Sequence, residues 1–376
     1  MSKIKHYILG LASLLFLTFI SFSCEDNSSH FKLKGTLKNV EGEYFYATRE
    51  IQDSVIIDTI LIDKDGKFSF EGNIDTLSVI RLFFNENTKS TYFFADKGWD
   101  IKIDGDALYP DLIEIKGGDI NDDLTAFKKE NKDLLKKRAE ILKVAEKKVI
   151  SNDNIADKDY VVELKNINFE LSNIAAEYVK ANPTKIASVM LINSFFKNES
   201  SIPRLDENLA LLRGKAATFS MTGELKQFVS KVKQIQIGAV APNFTSKNTK
   251  GKTVNLVDFR GKYVLLSFVS TTCEMCNAGR KDAIRTYNEL KKEKKNIEFI
   301  TVIIDTEQLE ITKEIKDSIK WDLLPEEGSW AAKTINQYYV RELPYNILIS
   351  PTGVILEKDF PIEALPQKLH NIESNK

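Results

Sequence analysis

Two cysteines stand three positions apart at the junction between a strand pattern and a helix pattern. The strand pattern is the apolar run Tyr263–Val269, and the cysteines that follow it are Cys273 and Cys276. A continuous apolar run of this length predicts a strand that is buried on both faces, as in sheets that helices cover on each side. This junction constrains the fold strongly, because it places a reactive pair of side chains where a buried strand gives way to a helix.

Strand and helix patterns alternate from residue 237 to the C-terminus. In chain order the sequence predicts a helix over 274–294, a strand over 297–304, helices over 307–319 and near 330–339, a strand over 345–349, a turn over 350–353, a strand over 354–358 and a last helix. Strands that alternate with helices and end in a hairpin predict an α/β sheet with helices on both faces.

The chain upstream of this region has two different patterns. Residues 31–117 contain seven or eight short strand-like runs separated by turn residues, which predicts an all-β sandwich or barrel. Residues 118–236 carry apolar side chains three, four or seven positions apart among lysines and glutamates, which predicts an α-helical segment. With an α/β domain over 237–376, we expect a multidomain protein.

Residues 1–23 have the pattern of a bacterial lipoprotein signal peptide. Two lysines precede the apolar run Tyr7–Phe22, which is short for a membrane span, and a loose lipobox ends at Cys24. Acyl chains on Cys24 would anchor the protein stably in a membrane, and residues 24–30 would then form a polar tether. An ordinary cleaved signal and an uncleaved anchor stay open as alternatives.

The charge and the histidine content argue against two functional classes. The 53 basic and 54 acidic residues give a net charge of −1, so no overall basic field favours nucleic acid. The three histidines are far apart in the chain, and once Cys24 carries lipid, Cys273 and Cys276 are the remaining thiols. A structural zinc ion needs two ligands beyond a Cys-X-X-Cys pair, so we expect no metal site.

The position of the two thiols predicts thiol–disulfide exchange. At the start of a helix, free backbone N–H groups and the helix dipole lower the pKa of a thiol, which enriches the thiolate of Cys273. We assign Cys273 as the nucleophile that forms a mixed disulfide and Cys276, one turn further along, as the thiol that resolves it. The alternative, an inert structural disulfide, is disfavoured because so small a ring constrains little chain entropy.

Several ordered motifs resemble the thioredoxin-like thiol–disulfide oxidoreductases of the TlpA/ResA and AhpC-TSA type. They are Gly238–Phe244, Arg260–Phe268, Cys273-X-X-Cys276, Leu343-Pro344 and Ile349–Ile355. The resemblance implies a thioredoxin-like C-terminal domain that works through a redox-active disulfide, without a bound cofactor. It also implies that the Leu343–Pro344 bond is cis and that these two residues form a platform for substrate main chain. The upstream part resembles, more loosely, the N-terminal domain of unknown function found in such anchored lipoproteins.

The active-site motif departs from the pattern of that family. Where relatives have Trp-Cys-Gly-Pro-Cys, this chain has Thr272, Glu274 and Met275 around the cysteines. The Glu274 carboxylate opposes the helix dipole and favours the protonated thiol, which makes the couple more reducing. Ser267 stands where thioredoxins carry a buried acid, and Gly279 stands where many relatives have a glutamate. We therefore expect no charged base for Cys276, with water or Glu274 carrying the proton.

These features predict a membrane-anchored oxidoreductase that reduces protein disulfides in the cell envelope of a Gram-negative bacterium, on the periplasmic or outer-membrane side. Its expected partners are protein thiols and disulfides, a redox donor protein and the membrane, with the upstream domains serving as spacer, homodimer surface or partner dock. The alternative is a binding lipoprotein with a catalytically weak thioredoxin scaffold. A peroxiredoxin is disfavoured, because no proline lies between Ser267 and Cys273.

Overall fold

The structure is a computed structural model that describes residues 29–51, 54–85, 89–150, 158–304 and 318–374. The predicted signal peptide, Cys24 and most of the tether lie outside the described residues, as does most of the helix expected over 307–319. No helix within the described ranges combines the length and the apolar character that crossing a bilayer requires.

The chain divides into two compact units. The first comprises Met1–Phe195 with Leu212–Ala216, and the second comprises Phe196–Leu211 with Ala217–Lys376. The helical stretch predicted over 118–236 is therefore shared between the two units.

The first unit begins with a β-sandwich, as the sequence predicts. Its two four-stranded sheets have the orders β4-β1-β7-β8 and β3-β2-β5-β6. The strands are β1 (His30–Lys38), β2 (Tyr44–Ile51), β3 (Ser54–Leu61), β4 (Lys67–Asn73), β5 (Ser78–Phe84), β6 (Lys89–Ala95), β7 (Asp100–Asp106) and β8 (Glu114–Lys116). In β1, Phe31 and Leu33 point into the core while Lys32 and Lys34 are exposed, because side chains alternate across a strand.

Helices follow the sandwich in the same unit. They are α1 (Asp119–Glu130), α2 (Lys132–Ile150), α3 (Lys158–Ala181) and α4 (Ile186–Phe196). The buried Asn121 joins α1 to β6, because its Oδ1 accepts from the Phe94 N–H and its Nδ2 donates to the Phe94 carbonyl, both at 2.8 Å. Thr125 joins α1 to β8 in the same way through the backbone of Ile115. These bonds hold α1 against the sandwich and satisfy backbone groups at the edges of both sheets.

The second unit contains a five-stranded sheet of order β13-β12-β11-β14-β15, in which β11, β12 and β13 are parallel and β14 and β15 are antiparallel. A separate two-stranded ribbon, β9 (Thr245–Lys247) with β10 (Thr253–Asn255), precedes it. The sheet strands are β11 (Tyr263–Val269), β12 (Ile297–Ile303), β13 (Asp322–Pro325), β14 (Tyr345–Ile349) and β15 (Ile355–Lys358). The short strand β13 is absent from the sequence prediction, because its two buried leucines are too few to form a strand pattern.

Helices cover both faces of this sheet, which confirms the α/β prediction. The helices of the unit are α5 (Ile202–Leu211), α7 (Ser220–Gln234), α8 (Glu274–Lys292), α9 (Lys333–Gln337) and α10 (Leu365–Ser374), and α6 (Gly214–Thr218) lies where the two units meet in sequence. Leu290 of α8 and Leu369 of α10 pack on one face, against Leu265 and Leu348. Ile335 of α9 packs on the other face.

The segment before the sheet is tied to the second unit by specific contacts. Phe228 of α7 lies with its ring 5.4 Å from the ring of Tyr339. Glu199 forms an ion pair of 2.6 Å with Lys358 at the end of β15. These contacts explain why α5 and α7, which the sequence places in the helical segment, group with the C-terminal sheet.

Candidate active site

Cys273 and Cys276 form a disulfide at the first turn of α8, with their Cα atoms 5.2 Å apart. Cys273 is the N-cap residue, and its Sγ accepts a hydrogen bond of 3.1 Å from the backbone N–H of Cys276. Cys273 is half-buried, whereas Cys276 is 8% exposed. The Cys273 sulfur is therefore accessible to substrates and lies beside the free N–H groups at the start of the helix. The Cys276 sulfur lies behind it.

Polar side chains hold the loop before the cysteines. The Ser270 and Thr272 hydroxyls lie 2.8 Å apart, and the Ser270 hydroxyl also accepts from the Thr272 N–H at 3.1 Å. The Asn277 side-chain amide donates to the Thr271 carbonyl at 2.8 Å. Asn277, which the sequence analysis does not single out, thus connects the first turn of α8 to the loop and stiffens the surroundings of Cys273.

The Leu343–Pro344 peptide bond is cis. The Leu343 carbonyl oxygen lies 3.9 Å from Cys273 Sγ, although the two residues are 70 positions apart in the chain. The sheet brings them together, because β14 starts directly after Pro344 and pairs with β11, which ends directly before the cysteine loop. The cis bond agrees with what the resemblance implies, and the register of β11 with β14 places this segment beside Cys273.

The three residues that modify the motif surround the disulfide at the surface. Thr272 and Glu274 are exposed, and Met275 is 71% exposed. The side chain of Met275 thus presents an apolar thioether to solvent beside the two sulfurs. Cys24, the predicted lipidation site, lies outside the described residues.

A cavity of about 620 Å³ opens behind the disulfide, between α8 and the sheet, and Cys276 and Met275 lie at its border. Thr301, Ser267 and Asn346 stand side by side on β12, β11 and β14 and line its floor. The Ser267 hydroxyl donates to Asn346 Oδ1 at 2.7 Å, and Asn346 Nδ2 donates to the Phe360 carbonyl at 2.9 Å. The position where thioredoxins carry a buried acid therefore holds a neutral hydrogen-bonded pair in this chain, with Ser267 half-buried and Asn346 buried.

Thr301 and Asn346 are site residues that the sequence analysis misses. Asn346 could have been identified from the sequence, because it is a lone amide in the apolar run Tyr345–Ile349. A polar group that is buried in a strand must find hydrogen-bond partners. Thr301 carries no comparable signal, although its hydroxyl accepts from the Trp321 indole N–H at 2.9 Å.

The lining of this cavity is acidic. Its described charged side chains are Asp282, Glu342, Asp359, Glu363 and the single cation Arg280. Burial raises the pKa of the Tyr345 hydroxyl at the start of β14, and the nearby Glu199, Asp359 and Glu342 act in the same direction. In the described part of the chain, no group of three metal-ligating side chains occurs.

Comparisons with known proteins match two separate parts of the chain. Residues 31–124 match the domain of unknown function DUF4369, and residues 237–358 match the AhpC/TSA family. The thiol-disulfide oxidoreductase ResA of Bacillus cereus is 31% identical over 132 residues, which cover 35% of this chain and 73% of that protein. ResA of Bacillus subtilis is 27% identical over 124 residues, which cover 33% of this chain and 66% of that protein.

Solved structures are similar to parts of this chain. A thiol-disulfide oxidoreductase from Bacteroides fragilis is 34% identical, with a TM-score of 0.32, over 35% of this chain and 98% of that protein. A thioredoxin-like protein from Bacteroides caccae is 18% identical, with a TM-score of 0.42, over 57% of this chain and 82% of that protein. The AhpC/TSA match spans the cysteine pair and the cis proline, and the match to ResA of Bacillus cereus covers 73% of that protein at 31% identity. The chain therefore belongs to the family of thiol-disulfide oxidoreductases that includes ResA.

Proposed function

We propose that this protein reduces disulfides of other proteins through Cys273 and Cys276, outside the cytoplasm and anchored to a membrane by lipid on Cys24. The observation that carries the proposal is the arrangement of the two sulfurs: Cys273 is half-buried at the helix start, and Cys276 is bonded to it from behind. The redox-active disulfide itself would carry the two electrons, so no bound cofactor is needed.

The reaction starts from the reduced form. The Cys273 thiolate attacks one sulfur of the substrate disulfide, a new S–S bond forms, and the second substrate sulfur leaves as a thiolate that takes a proton from solvent. The Cys276 N–H, which donates to Cys273 Sγ, and the positive end of the α8 dipole stabilise the negative charge on Cys273.

The second step releases the substrate. Cys276 loses its proton, its sulfur attacks Cys273 Sγ, and the substrate leaves as a dithiol while the Cys273–Cys276 disulfide forms. The polar groups on the cavity floor, Ser267, Thr301 and Asn346, carry no charge, so water in the cavity is the proposed proton acceptor. A dithiol donor protein then returns two electrons and two protons to the enzyme.

The cis-proline segment is the proposed platform for substrate. The Leu343 carbonyl lies 3.9 Å from Cys273 Sγ, so an extended substrate segment beside Leu343 would bring its own sulfur within reach of Cys273. The acidic lining of the cavity, with Glu342 next to this platform, favours substrate segments that are neutral or basic.

Insulin disulfide reduction by the full chain tests the redox proposal. We expect Cys273→Ser to abolish turnover, and Cys276→Ser to stop after the first step with a mixed disulfide on Cys273 that mass spectrometry can identify. Turnover that is unchanged by Cys273→Ser would contradict the proposal and favour the alternative of a binding lipoprotein with a thioredoxin scaffold.

Fractionation of the host cells tests the anchor separately. The wild-type protein should be found with the membranes and enter the detergent phase, whereas Cys24→Ser should not. Equal partition of both forms into the detergent phase would show that lipid on Cys24 is not the anchor, without affecting the redox proposal.

A further inference from the structure

The first unit contains a second cavity, of about 280 Å³, between the sandwich and its helices. Strands β5 and β6 form one wall, and α1, α2 and α4 form the others. This region corresponds to no motif in the sequence analysis, and its residues lie far from the cysteines in sequence.

The cavity contains a group of charged side chains. Arg81 on β5, Lys128 on α1 and Arg138 on α2 supply three cations, and Asp111 supplies one carboxylate. Arg138 Nη1 forms an ion pair of 2.8 Å with Asp111 Oδ2, so these two charges neutralise each other. Two positive charges, those of Arg81 and Lys128, therefore remain in excess.

Neither of these two cations is paired within the described part of the chain. The closest hydrogen-bonding partner of Lys128 Nζ is the neutral Ile113 carbonyl at 3.4 Å, and no ion pair or hydrogen bond involves the Arg81 guanidinium. Burial lowers the pKa of the Lys128 ammonium group, and this effect is larger than that of the Asp111 carboxylate, which raises the pKa. An ammonium group in such a place is costly unless a counter-charge accompanies it, and a bound anion would supply that charge.

Polar neutral groups and apolar groups complete the lining. Tyr92 lies directly across from Arg81 in the β5–β6 register and forms a side-chain hydrogen bond with Ser194 of α4. The apolar lining includes Phe127 and Phe195, whose ring centroids are 6.1 Å apart. A few converging polar groups on a largely apolar wall are typical of small-molecule sites.

We propose that this cavity binds a small organic anion, a carboxylate or phosphate monoester that carries a compact apolar group. The anionic group would lie between Lys128 and Arg81, and the apolar group would lie against Phe127 and Phe195. The volume corresponds to about nine water molecules in the liquid, which suits a ligand of about ten non-hydrogen atoms. The proposal does not depend on the redox function.

Isothermal titration calorimetry of the full chain tests the charge and the apolar contact with matched probes. We expect benzoate to bind saturably with one site. Benzamide, which has the same shape without the charge, and inorganic phosphate, which has charge without an apolar group, should bind about tenfold more weakly or not at all. Absence of saturable binding by benzoate, hexanoate and phenyl phosphate would overturn the proposal, as would benzamide or phosphate binding as tightly as benzoate.

Two neighbouring lysines on α1 provide matched variants. Lys128→Met should weaken benzoate binding about tenfold, because it removes a charge-assisted bond at the cavity. Lys129→Met should leave binding unchanged, because Lys129 is exposed and pairs with Glu114 outside the cavity. Equal effects of the two variants would overturn the assignment of the site.

A second variant keeps the test valid if Lys128→Met does not fold. Arg81 is an exposed residue at the cavity border, so Arg81→Gln should fold normally and still weaken benzoate binding about tenfold. The circular dichroism spectrum and the rate of insulin reduction should be unchanged in each variant. Unchanged benzoate affinity in a folded Arg81→Gln protein would contradict the proposed position of the anionic group.

Discussion

The two cavities of this protein have opposite charge. The cavity behind the disulfide has four acidic side chains and one basic side chain in its described lining. The cavity of the first unit has three basic side chains and one acidic side chain. The net charge of −1 over the whole chain gives no indication of either the acidic or the basic cavity. The comparison shows that overall charge argues against broad partner classes such as nucleic acid but says little about what a single site attracts.

The two sites also differ in what does the chemistry. At the disulfide, two sulfur atoms carry the reaction, and the nearby groups on the cavity floor are neutral. At the second cavity no reactive pair is present in the described lining, and two unpaired cations dominate. Separate variants should therefore change one site without changing the other.

The largest expected effect separates the two sites completely. Cys273→Ser should lower kcat/KM for insulin reduction by about a thousandfold or more, because it removes the nucleophile, and should leave benzoate affinity unchanged. Lys128→Met should do the reverse. A loss of disulfide reduction in Lys128→Met would show that the sites are coupled, which contradicts their independence.

Adding a charge to the neutral floor of the redox cavity should produce the next largest effect. Ser267→Asp places a carboxylate on the cavity floor, where it can accept the proton of Cys276, and should speed resolution of the mixed disulfide by about tenfold near neutral pH. Ser267→Asn is the control of equal size without a charge. Stopped-flow measurement of the second step against pH distinguishes them, and equal rates in both variants would show that water already suffices.

Removing charge from the acidic cavity should have a smaller effect. Glu342→Gln together with Glu363→Gln should reduce kcat/KM about threefold for a basic disulfide peptide at low ionic strength, and the loss should vanish in high salt. Glu289→Gln is the control, because Glu289 is exposed on α8 and does not line the cavity. An equal loss for an acidic peptide would contradict electrostatic attraction of substrate.

The smallest effect concerns the stability of the first unit at Tyr178, whose ring packs against Phe127 of the second cavity. The Tyr178 hydroxyl on α3 is buried and has no hydrogen-bond partner among the described residues, so Tyr178→Phe should raise the free energy of unfolding by about 1 kcal/mol. Lower thermal stability of Tyr178→Phe at neutral pH would contradict this account.

The same residue predicts a pH dependence. Burial, with the charges of Asp123 and Glu130, raises the pKa of Tyr178 to about 12. Between its ordinary pKa of about 10 and that value, the unfolded chain loses the proton while the folded protein keeps it, so stability falls as pH rises through this range. Thermal denaturation from pH 9 to 12 should show a shallower loss for Tyr178→Phe than for the wild type. An identical slope would mean that Tyr178 does not titrate as proposed.

Much of the fold follows from local patterns. The alternation of apolar and polar residues in strands such as β1 predicts the sandwich, and the continuous apolar run of β11 predicts the buried sheet. Both patterns can be found in the sequence because they depend only on residues that are close together in the chain. The patterns do not predict β13, which has few buried residues, and they do not show that α5 and α7 group with the C-terminal sheet. Those features depend on contacts between distant segments, such as Glu199 with Lys358.

The candidate site divides in the same way. The sequence by itself determined that a nucleophilic cysteine caps a helix after a buried strand and that a second cysteine follows one turn later, since this requires short-range spacing alone. Tertiary structure alone decided that Ser267, Thr301 and Asn346 form one polar row, because the register of three strands aligns them. It also decided that Lys128 and Arg81 share a cavity in which cations outnumber carboxylates, because charges distant in sequence act together where folding places them.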